Sequence, residues 1–408
     1  MMGDILFLAH RVPWPPNRGD KIRSHHFLQR LMDCAPVHVA CFADDEAEKQ
    51  IGWARKAELL SCEIVVRSKP KWRAGVEALV AGQPVSLASF ESSRIRDYVA
   101  DVIAKRTVDC IFVFSGQMAQ FIPADFTGRV VMDFADVDSA KFESYAGKGA
   151  GPMAWINRRE GRLLREFESE VAKRADHSLF VSEAEATLFR QRSGLSGDRV
   201  KAVGNGIDLE FYGSTEVQGA DIENSGPLIL FTGQMDYQPN IQAVQSFSNR
   251  VMPDILSRFP EARFAIVGRA PAAKVLQLAG KNGTVVIGAV DDIRCWIKAA
   301  DVVVAPLRIA RGIQNKVLEA MAMARPVVAS ACAAEGIQAI SGDHFLVADS
   351  VDREASLVCD LLADLRKAKR LGAQAQMLIH SQYSWEKQLA GLPALCGIAE
   401  PHMAEAAE

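Results

Sequence analysis

The feature that most constrains this chain is an alternation of short apolar runs with longer amphipathic segments, repeated along most of its length. Ile5–Ala9, Val37–Phe42, Cys62–Val66, Cys110–Phe114, Val130–Phe134, Phe180–Ser182 and Val200–Val203 are each short and strongly apolar. Such runs read as strands covered on both faces, the signature of a parallel sheet wrapped in helices, with Arg23–Leu31 and Trp155–Arg174 as helices among them. Small and polar residues then dominate between Tyr212 and Pro227, a composition suited to a connection. Beyond it the pattern restarts with Leu228–Thr232, Arg263–Val267, Thr284–Ile287, Val302–Ala305 and Pro326–Ala329. Ile241–Ser257, Ala272–Ala279, Ile293–Ala299 and Val317–Met323 supply the intervening helices.

Two successive doubly wound α/β domains follow from this order, residues 1–215 and 216–375, with ligand expected between them near strand C-termini. A length of 408 residues suits two cores better than one. Residues 376–408 form a terminal segment in which Trp385 caps a core or packs back on the first domain, followed by a mobile tail after His402.

Composition excludes several classes. Lys and Arg number 47 against 50 Asp and Glu, so the formal charge of -3 gives no basic excess for nucleic acid. The 8 cysteines are dispersed in apolar surroundings and fit thiols in a reducing cytoplasm rather than a disulfide or zinc framework. The start lacks a basic leader with a cleavage site, and no apolar run is long enough to span a bilayer. A cytoplasmic protein is expected. Arg67, Lys69, Lys71 and Arg73 around Trp72, with the charged helix Arg158 to Arg165, suggest peripheral attachment to the anionic inner face of the cell membrane.

The chemistry concentrates in Pro306–Val328. There Arg311 and Gly312 lead into a helix carrying Lys316, Glu319 and the small residues Ala320, Ala322 and Ala324. Small residues let a helix press on its sheet, and free N–H groups at its start receive diphosphate oxygens. Arg311 and Lys316 place cations beside those amides, where an anion would be held. Gly233, after Leu228–Thr232, and Gly268–Arg269, after Arg263–Val267, occupy matching strand-end loops. Gly268–Arg269 is not a full dinucleotide-binding fingerprint and no P-loop is present, which disfavours hydride transfer and ATP hydrolysis. In the first half, Gly19 lets backbone approach a ligand while Lys21 and Arg23 attract an anion; Asp133, Asp136 and Asp138 cluster after a strand, where carboxylates could accept from ligand hydroxyls. Three carboxylates could also converge on a cation, although Asp138 equally suits a helix cap.

These blocks make the chain resemble the family 4 glycosyltransferases of the GT-B fold. The family's Glu-x7-Glu motif is matched by Arg311 in place of the first Glu, then Glu319, Ala320, Met321, Ala322, Pro326, Val327 and Val328. Pro13–Arg23, Asp133–Ser139 and Gly233–Asn240 further resemble sugar transferases of bacterial exopolysaccharide and PEP-CTERM/exosortase systems. The resemblance implies two Rossmann-like domains facing across a cleft, with a UDP- or GDP-sugar donor and a saccharide or lipid-linked acceptor. It implies retention at the anomeric carbon without metal or cofactor. It places Glu319 on the ribose hydroxyls, and Gly312, Ile313 and Gln314 amides beside the diphosphate. Gly19, Lys21, Gly233 and Arg269 complete the expected contacts. Arg311 departs from the family carboxylate that touches the donor sugar, and an arginine cannot accept a hydroxyl's hydrogen bond. A sugar-binding protein without catalysis and a nucleotide-sugar epimerase are the alternatives.

Overall fold

The computed structural model describes residues 3–147, 151–213, 216–220, 226–310 and 313–398. Two compact units result: the first holds Met1–Gly204 with Leu389–Glu408, the second Asn205–Gln388.

In the first unit the apolar runs become β1 (Asp4–Ala9), β2 (Val37–Ala43), β3 (Ser61–Val66), β4 (Val108–Phe114), β5 (Arg129–Ala135), β6 (His177–Phe180) and β7 (Val200–Ala202). All pair in parallel in the order β3-β2-β1-β4-β5-β6-β7. The strand order reverses between β1 and β4, so their C-terminal ends, at His10 and Ser115, diverge around a crevice. β1 is buried at every position, as a strand covered on both faces must be. One layer of the core is aromatic, with Phe134, Phe180 and Phe189 rings within 4.7 to 5.5 Å of one another.

The second unit repeats the plan with β8 (Leu228–Thr232), β9 (Arg263–Val267), β10 (Thr284–Gly288), β11 (Val302–Ala305), β12 (Val327–Ser330) and β13 (Leu346–Ala348). Their parallel order is β10-β9-β8-β11-β12-β13, with the reversal between β8 and β11. The loops after β8 and β11 are thereby the natural ligand position of this unit.

Several boundaries differ from the expectations drawn from sequence, each for a local reason. The first unit ends at Gly204 rather than at residue 215, because Ile207 N–H donates to Tyr383 O at 2.6 Å and Gly206 lies flat against Trp385. A Cβ on Gly206 would fall 2.5 Å from Trp385 Cα, so only glycine fits. Trp385 therefore falls in the second unit, and the chain returns to the first from Leu389 on, Arg129 Nη1 donating to Leu395 O at 3.3 Å. The expected tail after His402 lies outside the described residues.

The helix expected across Ile241–Ser257 is broken into Gln238–Ser246, a π turn Phe247–Val251 and Met252–Arg258. Pro253 cannot donate to the preceding turn, and the wider turn absorbs that missing bond. Two helices, Val351–Ala363 and Leu365–Gln382, follow β13, and the Asp364 side chain starts the second by accepting from Arg366 and Lys367 N–H. All 8 cysteines are free thiols.

The first unit is locked by Arg23 and Asp133. Arg23 Nε donates to Asp133 Oδ2 at 2.8 Å and Nη2 to Oδ1 at 3.0 Å, while Nη1 reaches Val203 O at 2.8 Å. Asp133 is fully buried, so its sequence-based role as a partner for acceptor hydroxyls does not hold. Both carboxylate oxygens face the guanidinium, and Oδ1 also accepts from Ala135 N–H. Replacing Asp133 by Ala strands a buried guanidinium and should lower unfolding stability by about 3–5 kcal/mol. Denaturant unfolding of Asp133→Ala, compared with the double variant Arg23→Met/Asp133→Leu, checks this, the double variant being the more stable of the two.

Candidate active site

In the second unit the site is built at the ends of β8 and β11. The helix Asn315–Ala322 follows Gln314, whose backbone is extended and whose carbonyl accepts from Val317 N–H at 2.9 Å. The amides of Asn315 and Lys316, ahead of that bond, have no intrahelical acceptor and lie at the positive end of the helix, where an anion is favoured. Helical spacing puts Lys316 and Glu319 one turn apart on the same side. Lys316 Nζ donates to Asn240 Oδ1 at 2.9 Å and stands 4.0 Å from the centre of the Phe231 ring. Asn240 is itself held by donating to Gln234 O at 2.8 Å.

The two loop glycines permit this arrangement. A Cβ on Gly233 would lie 3.0 Å from Lys316 Nζ and 2.9 Å from Asn240 Nδ2. One on Gly268 would collide with Gly233 O at 1.6 Å. Both have positive φ, at 154° and 155°, so glycine is required on two counts. Arg269 contributes through its backbone, its carbonyl accepting from Met235 N–H at 2.8 Å while its side chain is exposed. Ile313 packs on the apolar core. Arg311 and Gly312 lie outside the described residues.

Burial sets the charges. It lowers the Lys316 ammonium to about 7, the nearby Glu319 carboxylate opposing the shift. Burial also raises Glu319, against a hydrogen bond from Tyr212 and the pull of Lys316. Tyr212 is correspondingly pushed up, by burial and then by Glu319. A cation beside a helix N-terminus suits phosphate, and a carboxylate already fixed by one hydroxyl suits further hydroxyls. Tyr212 escaped sequence reading because its stretch reads as a linker; Asp208, which accepts from Phe211 N–H at 2.9 Å and starts the short helix Leu209–Gly213, was the available signal.

The first unit separates its candidates. Gly19 opens the helix Gly19–Met32, and a Cβ there would meet nothing within 4 Å, so a ligand has room to approach. Lys21 does not face that space: it is 3% exposed, donates to Trp14 O at 3.4 Å and is ion-paired to Glu48. Its expected contact with phosphate is replaced by a structural pair. Asp136, just past β5, is raised to about 6 by burial and by the charges of Glu185 and Asp138. Asp138 begins the helix Asp138–Ala146 and is likewise raised by burial, so these two rather than Asp133 are the polar groups offered at the strand end. Glu185 accepts from Val137 N–H at 2.7 Å and Glu168 from Ser139 N–H at 2.9 Å, fixing that turn. His10, at the end of β1, stacks on Phe114 at 5.5 Å and approaches Asp20 at 3.3 Å, a constellation sequence reasoning missed. Among the described residues no three His, Cys, Asp or Glu side chains converge to hold a metal ion.

Two Rossmann-like units of this strand order define the GT-B class of fold. Residues 226–364 match the family model of glycosyl transferases group 1. A phosphatidyl-myo-inositol mannosyltransferase of Propionibacterium freudenreichii is 25% identical over 228 residues, covering 55% of this chain and 56% of its own. The chain thus spans little more than half the length of that curated relative. Among solved structures, sucrose-phosphate synthase of Thermosynechococcus elongatus superposes with a TM-score of 0.69 at 17% identity, over 97% of this chain and 98% of its own. Anabaena HepE, solved with UDP-glucose, gives 0.67 at 15% identity over 96% and 99%.

Lys316 carries a signed pH dependence. Between about 7 and the ordinary 10.5 the unfolded chain holds a proton that the folded chain releases, so this residue lowers stability near neutrality and the loss recovers as pH rises. A bound diphosphate would restore the proton. Calorimetric titration with UDP and GDP should show proton uptake near pH 8 and affinity falling by up to about tenfold per pH unit above 7. The Lys316→Met protein should bind weakly with no such slope.

Proposed function

We propose that the protein is a glycosyltransferase that moves a sugar from a UDP- or GDP-sugar to a hydroxyl of a saccharide or lipid-linked acceptor. The observation that carries this reading is the Lys316 ammonium on Phe231 and Asn240, at the open start of the Asn315–Ala322 helix, with Glu319 one turn further on. A nucleoside diphosphate has the matching parts: phosphates for the cation and helix amides, ribose hydroxyls for the carboxylate. The group 1 match and the mannosyltransferase relative support a donor of this class, as does HepE with its bound UDP-glucose.

In this reading Lys316 and the first-turn amides stabilise the diphosphate as the bond from the anomeric carbon to phosphate oxygen lengthens. Arg311, whose side chain can donate in a bidentate fork, adds to that charge in the place of the first Glu of the Glu-x7-Glu motif. Ile313 and Gln314 lead the chain into the helix, and a glycine at 312 carries no side chain to hold a phosphate off. The acceptor hydroxyl attacks from the same face while a donor phosphate oxygen takes its proton, so the product retains configuration and no protein nucleophile or metal is required. Asp136 and Asp138 orient the acceptor. Exopolysaccharide assembly at the inner face of the cell membrane is the process this reading fits.

A screen of nucleotide sugars with saccharide and lipid-linked acceptors, read by mass and anomeric configuration, tests the proposal. Acceptor-dependent release of nucleoside diphosphate, a retained glycosidic bond and undiminished rate after exhaustive chelation are expected. Glu319→Ala should lower kcat/KM by about 10²-fold or more, while Asp136→Asn should lower turnover with donor affinity intact. Inversion would overturn the mechanism. Binding without turnover would indicate a sugar-binding protein, and donor conversion without acceptor an epimerase.

A further inference from the structure

The carboxylate of Glu319 is held from outside its own helix. The hydroxyl that donates to it belongs to Tyr212, on the short helix Leu209–Gly213. So short a helix cannot hold a side chain in place by its own hydrogen bonds, and a clamp on the neighbouring Phe211 does so instead. Arg294 Nη1 donates to Phe211 O at 2.8 Å, and the guanidinium carbon stands 3.7 Å from the centre of the Phe211 ring. Phe211 is 41% exposed, so that stacking rather than burial fixes its ring. Asp292 aims the guanidinium in turn: Arg294 Nε donates to Oδ1 at 2.9 Å and Nη2 to Oδ2 at 2.7 Å. The same Oδ1 accepts from Arg294 N–H at 2.9 Å and starts the helix Ile293–Ala299, which ties the clamp to a regular element. The Phe211 and Tyr212 rings meet edge to face at 5.0 Å, and Tyr212 packs on the apolar core of the unit. Fixing one ring therefore settles the other.

We propose that Tyr212, locked by Phe211, Arg294 and Asp292, is a positioning residue for nucleoside recognition, holding Glu319 oriented and ionised so that it accepts from the paired hydroxyls of a ribose. This role rests on the proposed function, which puts a nucleoside diphosphate at the Asn315–Ala322 helix. Burial works against an ionised Glu319, and two groups oppose it: the Tyr212 hydroxyl and Lys316, one turn back on the same helix. Lys316 gives up its proton near pH 7 and donates to Asn240, so its support fades as pH rises. Tyr212 has no such weakness. Burial, then the charge of Glu319 and those of Asp208 and Asp292, keep its phenol protonated well past the ordinary range, so it remains a donor where Lys316 has become neutral. A carboxylate has about four acceptor positions, and one hydroxyl leaves the others for a diol. The two halves of a nucleotide are thus met by separable groups, the phosphates by Lys316 and the helix amides, the ribose by Glu319 under the control of Tyr212.

Calorimetric titration of the full chain with UDP, GDP, their 2′-deoxy counterparts and inorganic pyrophosphate, from about pH 6 to about pH 8.5, tests this. The wild-type protein should prefer the ribonucleotide by about tenfold or more, because the deoxy form lacks a hydrogen bond to a charged acceptor. Tyr212→Phe keeps the ring and its packing. It should lower ribonucleotide affinity about tenfold, reduce the preference over the deoxy form to about threefold or less, and leave pyrophosphate affinity within about twofold. Without the hydroxyl, burial raises Glu319 further, so the loss of nucleotide affinity on acidification should begin at higher pH, while the alkaline fall set by Lys316 stays in place. Arg294→Met should reproduce the pattern in weaker form. Wild-type affinity, preference and pH profile in Tyr212→Phe overturn the assignment, as does a wild-type protein that binds both forms of nucleotide equally; either result leaves the proposed function standing. Loss of pyrophosphate along with nucleotide in Tyr212→Phe also overturns it, since Tyr212 would then support the whole site rather than one carboxylate. A wild-type protein that binds none of these ligands strikes the proposed function itself, and this role with it.

Discussion

The second unit depends on one unfavourable act, the enclosure of an ammonium group that no carboxylate among the described residues pairs at contact distance. Lys316 leans on a ring and an amide, and burial brings its proton affinity down to about 7. Everything near it accommodates that ammonium. Gly233 has no side chain because Nζ and Asn240 occupy the space, Gly268 has none because Gly233 does, and Asn240 is fixed by Gln234. The ligand implied is the one that relieves the strain on the charge: an anion arriving on the same side as the helix amides.

The first unit solves a different electrostatic problem. Its buried acids are satisfied by the protein itself: Asp133 by Arg23, Glu160 and Glu168 by the amides at the starts of the helices Val85–Ala88 and Asp138–Ala146. These bonds tie the long Pro152–Arg174 helix to the turn after β5, at Ser139, and to the helix Val85–Ala88.

Fold was legible wherever a strand was buried on both faces, since Ile5–Ala9, Leu228–Thr232 and Val302–Ala305 leave no other reading. β13 was missed because Leu346–Ala348 is too short to stand out from its neighbours. In the site, Glu319, Lys316 and Gly233 were legible through a motif that demands a close-packed helix and an open loop. Asp133 and Lys21 misled for a shared reason: charge at a strand or loop end reads as available, and only the fold shows Arg23 and Glu48 already there. Tyr212 and His10 were hidden because single residues in irregular segments carry no period.

The central claim, that the second unit holds a nucleoside diphosphate at the start of the Asn315–Ala322 helix, is tested most directly by amide hydrogen exchange of the full chain with and without UDP, GDP or ADP. The account predicts that at least one of them slows exchange at Gly233–Gln234 and Ile313–Lys316, with β10 and the outer helices unchanged. Protection centred elsewhere, or none from any nucleoside diphosphate at saturating concentration, would contradict it.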